Sequence, residues 1–126
     1  MHALHERPRR FQKHFHLEDR TARFAKGVRE LIKRIKKTIG NIEDGKQVIR
    51  SSGSVGANYI EANESLSKKD FEMRIKICRK EAKESRYWLN LLDLVHSPEL
   101  ESERSRLVQE TKELMNIFGA ILQKTT

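Results

Sequence analysis

The residues of this chain best placed to do chemistry are cations. Lys69, Lys76, Arg79, Lys83 and Arg86 follow one another at intervals of seven, three, four and three, and Lys26, Arg29, Lys33 and Lys37 at three, four and four. On a helix those intervals align each set along one face. Such a row suits contact with backbone phosphates, which gives binding that is strongly salt-dependent and weakly sequence-specific. Arg79 and Lys83 stand four apart, where like charges repel by about 0.2–0.5 kcal/mol. An anionic partner accounts for a face that keeps such repulsion, and a solvated face is the plain alternative. Aromatic residues for stacking bases are scarce beside these rows, Tyr87 being the main one, so backbone binding is expected over single-strand recognition.

The other chemistries lack their partners. Glu61, Glu64, Glu81 and Glu84 fall on neighbouring helices, but a di-metal carboxylate bundle wants Glu-x-x-His on two helices, and only Asp93-x-x-His96 comes near that pattern. We expect a polar layer instead, with Asn58 and Glu61 facing Lys80 or Arg79, Glu84 facing Lys80, and Glu81 beside them. Such a layer costs desolvation but fixes register. Gly53-Ser54-Val55-Gly56 lacks the Gly-Lys-Ser/Thr ending of a phosphate loop and follows no strand. Cys78, the only cysteine, lies on an apolar seam and reads as a small core residue rather than a nucleophile. No catalytic group, metal site or cofactor is expected, and the chain reads as non-enzymatic.

The elements that carry these residues are helices. Charged residues make up 35% of the 126, aromatics 6%, and only two prolines occur, a mixture that favours long water-facing helices over sheets. Phe24, Val28, Leu31, Ile32 and Ile35 mark a first helix from about Asp19 to Gly40-Asn41. Val48, Ser52, Val55, Tyr59, Ala62 and Leu66 mark a second, from about Ile42 to Leu66. Gly53 and Gly56 each cost that helix about 1 kcal/mol relative to Ala, so the run Ser51 to Ala57 is expected to be a surface where another helix approaches closely. Ser67-Lys68-Lys69-Asp70 caps a third helix with a stripe of Phe71, Ile75, Cys78, Ala82, Ser85, Leu89 and Leu92. A flanking stripe carries Glu81, Glu84 and Trp88. Ser97-Pro98 opens a fourth, whose core face runs from Leu107 to Leu122. Long helices with short turns predict an all-α, antiparallel up-down-up-down four-helix bundle. The expected domains are a basic, mobile arm over 1–16 and the bundle over 17–126.

The net charge of +8 is unevenly shared: +8 over residues 1–40, −2 over 41–66, +3 over 67–97 and −1 over 98–126. Basic character therefore belongs to the arm and to the first and third helices. Within the third, Asp70 is expected to neutralise Arg74, and Glu72 to neutralise Lys76, at four-residue spacing. No apolar run approaches the roughly 18–20 residues that span a bilayer, and the start of the chain has no secretory pattern. A cytoplasmic location is expected, with no membrane partner.

One set of motifs is more specific. Arg50-Ser51-Ser52-Gly53-Ser54-Val55-Gly56-Ala57-Asn58, Glu61-Ala62, Ser67-x-x-Asp70-Phe71 and Lys80-Glu81-Ala82-x-Glu84-Ser85-x-Tyr87-Trp88-Leu89-x-Leu91-Leu92 stand in order, with Arg20-Thr21-x-x-Phe24-Ala25 before and Glu113-Leu114-x-x-Ile117-Phe118 after. The chain thereby resembles the four-helix bundle proteins encoded in intervening sequences of bacterial large-subunit ribosomal RNA genes, over about residues 17–124. It is also similar in fold to the accessory variability proteins of diversity-generating retroelements, basic rings that associate with a reverse transcriptase and nucleic acid. The resemblance implies a ring-like homopentamer and brings no catalytic residues. The expected function is RNA or DNA backbone binding through the basic helix faces. The alternative is a scaffold whose ring docks an acidic protein partner without nucleic acid.

Overall fold

The structure is a computed structural model that describes residues 9–125. Within them the chain forms four helices and no strand: α1 (Arg9–Arg34), α2 (Ile39–Asn63), α3 (Lys68–Leu91) and α4 (Pro98–Thr125). The fold is an antiparallel four-helix bundle. Opposed pairs set the directions: Thr21 meets Gly56 between α1 and α2, Arg50 meets Glu84 between α2 and α3, and Glu72 meets Thr125 between α3 and α4. Among the described residues the α1 backbone runs beside α2 and α4, the α3 backbone runs beside α2 and α4, and those of α1 and α3 are not adjacent. The two basic helices are diagonal corners of a square. Their outward faces point in opposite directions.

Both ends of α1 and of α2 differ from the sequence reading, and the two that face each other do so for one reason. Helix α1 stops at Arg34, and α2 begins after Thr38, whose hydroxyl accepts the backbone N–H of Asn41 at 3.1 Å. This cap places Gly40 inside the first turn of α2, so neither Gly40 nor Asn41 ends a helix. Asn41 is instead buried. Its side-chain amide donates to the carbonyls of Lys36 (2.9 Å) and Asp93 (2.8 Å) and accepts the N–H of Asp93 at 2.9 Å, tying two connections together. At the other end α2 finishes at Asn63, and Leu66, expected on its core stripe, stands 98% exposed in the turn. Helix α1 begins at Arg9, inside the stretch read as an arm; residues 1–8 of that arm lie outside the described residues. The caps at Ser67 and Ser97 form as expected, accepting the N–H groups of Asp70 (3.1 Å) and Leu100 (3.2 Å).

The core draws on all four helices, from Phe24, Val28 and Leu31 through Val48, Val55 and Tyr59 to Ile75, Leu89, Leu107, Leu114 and Phe118. Small residues let α2 sit close to both neighbours. The hydroxyls of buried Ser51 and Ser85 hydrogen-bond at 2.8 Å between α2 and α3. On the other side a Cβ at Gly56 would lie 2.8 Å from Thr21 Oγ1, nearer than real Cβ atoms come. The close-contact surface foreseen for Ser51 to Ala57 is thus used inside the chain at Ser51 and Gly56. Cys78 is fully buried, and burial pushes its thiol up to about 12, which leaves it protonated and inert at neutral pH. Between α1 and α4, Arg20 forks onto Glu110 (2.8 and 2.9 Å) and Glu113 (2.8 Å).

Candidate nucleic-acid interface

The cations of α3 divide according to what the bundle gives them to face. Helix α3 buries Ile75, Cys78, Ala82, Ser85 and Leu89, and turns the opposite side to water. Lys69, Met73, Lys76, Lys80, Lys83 and Tyr87 follow that outward side at alternating intervals of four and three, and all six are exposed. Arg79 and half-buried Arg86 flank the row on the α4 side, where Arg79 Nε would lie 3.9 Å from a Cβ at Gly119. Among the described residues none of Lys69, Lys76, Arg79, Lys80, Lys83 and Arg86 has a carboxylate within ion-pair distance; every pair the chain forms lies elsewhere. Lys69 to Arg86 covers about 26 Å of helix at 1.5 Å per residue.

Two neutralising pairs expected from the sequence do not form on α3. Arg74 donates to Asn58 Oδ1 at 2.9 Å instead of pairing with Asp70. Glu72 accepts from Thr125 Oγ1 at 2.8 Å, which leaves Lys76 free. Both side chains find partners across a helix junction, where the ends are already held, rather than along an exposed helix face.

The polar layer forms with other cations. Arg50 reaches across from α2 to Glu81 (3.4 Å) and to Glu84, and the Trp88 indole N–H donates to Glu84 at 3.0 Å. Asn58 joins Arg74, not Arg79 or Lys80. Glu61 and Lys80 are exposed and form no ion pair among the described residues. Register explains the change. Folding the chain back about Leu66 and Ser67 sets position 50 opposite 84 and position 58 opposite 74, so Arg79 and Lys80 lie more than a turn from Asn58. Lys80 also precedes Glu84 by four, the weaker orientation for such a pair. Lys80 belongs to the outward row.

The cations of α1 and of the connection that follows it behave differently. Lys26, Arg29, Lys33 and Lys37 are all exposed, but Lys33 pairs with Glu30 at 3.3 Å, Arg29 donates to the carbonyl of Ala25 at 3.1 Å and Lys37 reaches that of Ile32 at 3.5 Å. They border a cleft between α1 and α2 rather than a convex face. One helix therefore offers six unengaged cations, and the diagonal helix offers a lined groove. No group of three metal-ligating side chains comes together among the described residues, and no helix there is long and apolar enough to cross a membrane.

An antiparallel four-helix bundle with an unpaired basic outer helix face is the class of protein these features define. The chain belongs to the 23S rRNA-intervening sequence protein family, whose model matches residues 13–120. It is similar to a crystal structure of a protein of unknown function from the S23 ribosomal protein family of Bacteroides thetaiotaomicron. The two share 29% identity at a TM-score of 0.72, over 83% of this chain and 96% of that one. No curated protein matches.

Proposed function

We propose that this protein binds the phosphate backbone of RNA or DNA, without catalysis, through the outward face of α3. The observation that carries the reading is the run of six cations from Lys69 to Arg86 with no carboxylate partner. A solvated face built for helix stability gains from pairs at three- and four-residue spacing, whereas this one keeps its lysines and arginines unengaged while Glu81 and Glu84 of the same helix pair with Arg50 of α2. The α1 cations support it less, because they are partly satisfied and lie on the diagonal corner. A single duplex cannot lie along both stripes of one chain.

The test is filter binding of a structured RNA to wild type and to the triple variant Lys76→Glu/Arg79→Glu/Lys83→Glu. All three positions are exposed, so helicity should be unchanged while affinity falls by well over about tenfold. Equal affinities for wild type and variant would overturn the reading. The family resemblance adds a ring-like homopentamer, which would repeat the α3 face five times and raise avidity. Light scattering should then give about 74 kDa, five times the 14.8 kDa chain, and a monomer mass would refute it. A protein-docking role is supported at a different place, the cleft between α1 and α2.

A further inference from the structure

We infer that the cleft between α1 and α2 is a docking groove for an acidic amphipathic helix of a partner protein. The cleft consists of two hollows of about 400 and 160 Å³ that lie side by side, with Ile32, Lys37 and Ile49 lining both. Its floor is apolar: Ile32 and Ile49 are half-buried, Ile42 is 41% exposed, and Gly45 lets the Ile32 side chain lie within 3.4 Å of where a Cβ would be. Its rim is basic. Glu30 and Glu43, the nearby carboxylates on the two helices, are taken by Lys33 and Lys46. Lys26, Arg29, Lys36 and Lys37 remain without an ion-pair partner among the described residues.

The rim and floor together choose the occupant. Isoleucines under a ring of cations match a helix with an apolar stripe flanked by glutamates or aspartates, which is the helix-in-groove mode of recognition. Lys26 to Lys33 covers about 10 Å of α1, roughly two turns of such a helix, and Lys37 extends the rim past the end of α1 at Arg34. Nucleic acid fits poorly, since a phosphate backbone would leave the isoleucine floor unmatched. A second copy of this chain fits poorly too. The helix with the most carboxylates is α4, and Glu99, Glu101, Glu103, Glu110 and Glu113 are all held in ion pairs by Arg34, Arg104, Arg106 and Arg20, while α2, which is also net acidic, is itself one wall of the groove.

The experiment uses the full chain and two fluorescein-labelled helical peptides of about 18 residues. Both carry leucines along one face; one has glutamates on the flanks and the other lysines. Anisotropy should show the glutamate peptide binding at least about tenfold more tightly. Lys26→Glu/Lys37→Glu should reverse that preference with an unchanged far-ultraviolet spectrum, both residues being exposed. Lys76→Glu/Arg79→Glu/Lys83→Glu on α3 should leave peptide affinity as it was, which separates this groove from the nucleic-acid face. Equal binding of the two peptides, or no effect of Lys26→Glu/Lys37→Glu, would overturn the proposal. So would displacement of the peptide by RNA, or an oligomer that excludes the peptide and falls apart in Lys26→Glu/Lys37→Glu. Those outcomes would assign the groove to nucleic acid or to a second copy.

Discussion

Replacing Gly56 by alanine should destabilise the protein, although alanine is the better helix former. In an open helix interior the exchange gains about 1 kcal/mol. Here the new methyl would stand 2.8 Å from Thr21 Oγ1 and 3.2 Å from Thr21 Cβ. Thr21 cannot yield cheaply: it is 1% exposed, and its hydroxyl donates to the carbonyls of Leu17 (2.8 Å) and Glu18 (3.1 Å). Overpacking of this kind costs typically 1–3 kcal/mol, and a disturbed hydroxyl bond adds about 1. The net expectation is a loss of about 1–3 kcal/mol. Gly53→Ala is the matched control, since its nearest neighbour is the flexible tip of Arg29 at 3.4 Å. It should gain about 0.5–1 kcal/mol. Urea unfolding followed by Trp88 fluorescence, at one fixed protein concentration, reads both. Thr21→Ala combined with Gly56→Ala should recover much of the loss, giving a clear coupling energy between the two sites. If Gly56→Ala proves neutral or stabilising, α1 does not pass as close to α2 as described.

Three further outcomes follow from particular side chains. Arg20→Ala should cost about 1–2 kcal/mol, because it removes charge-assisted bonds between α1 and α4 that are only partly exposed; the urea midpoint checks it. Hydrogen bonds from Gln109 and Arg20 hold the Glu113 carboxyl below its usual range, and one from Arg106 does the same for Glu103. With the folded value below the unfolded one, their contribution is present above the usual carboxylate range of about 4.3 and is lost as pH falls through the folded values. Urea midpoints should therefore drop on acidification, and drop less steeply in Arg20→Ala. Cys78 should resist iodoacetamide in the native protein at pH 8 and react fully once unfolded, as mass spectrometry would show; rapid native alkylation would place the thiol at the surface.

Much of the fold was legible because burial repeats with the period of the helix. Phe24, Val28 and Leu31, or Ile75, Cys78 and Ala82, declare their faces without help from the rest of the chain. The caps at Ser67 and Ser97 were equally local, resting on one side chain and one N–H group. The α1–α2 boundary was not, because Gly40 and Asn41 can end a helix as readily as a threonine before them can begin one. What decided it was tertiary: Asn41 is needed to hold Asp93, fifty-two positions later in the chain. The basic row was visible in outline, yet Lys80 was placed in the wrong layer. Pairing across helices depends on register, and only the turn at Leu66–Ser67 sets that. Reflecting the chain about the turn would have found Arg50 with Glu84, and Arg74 with Asn58. The diagonal placement of α1 and α3 could not be read from either helix alone, since it depends on which faces the other two cover.

The most direct test of phosphate binding by α3 is the salt dependence of affinity for a duplex. Six unpaired cations of which three to six engage phosphates predict a slope of log K against log salt between about −2.7 and −5.4 on double-stranded DNA, with binding strongest near 50 mM salt. In Lys76→Glu/Arg79→Glu/Lys83→Glu the slope should shrink toward zero. A wild-type slope flatter than about −1, or no binding at about 50 mM salt, would contradict the assignment.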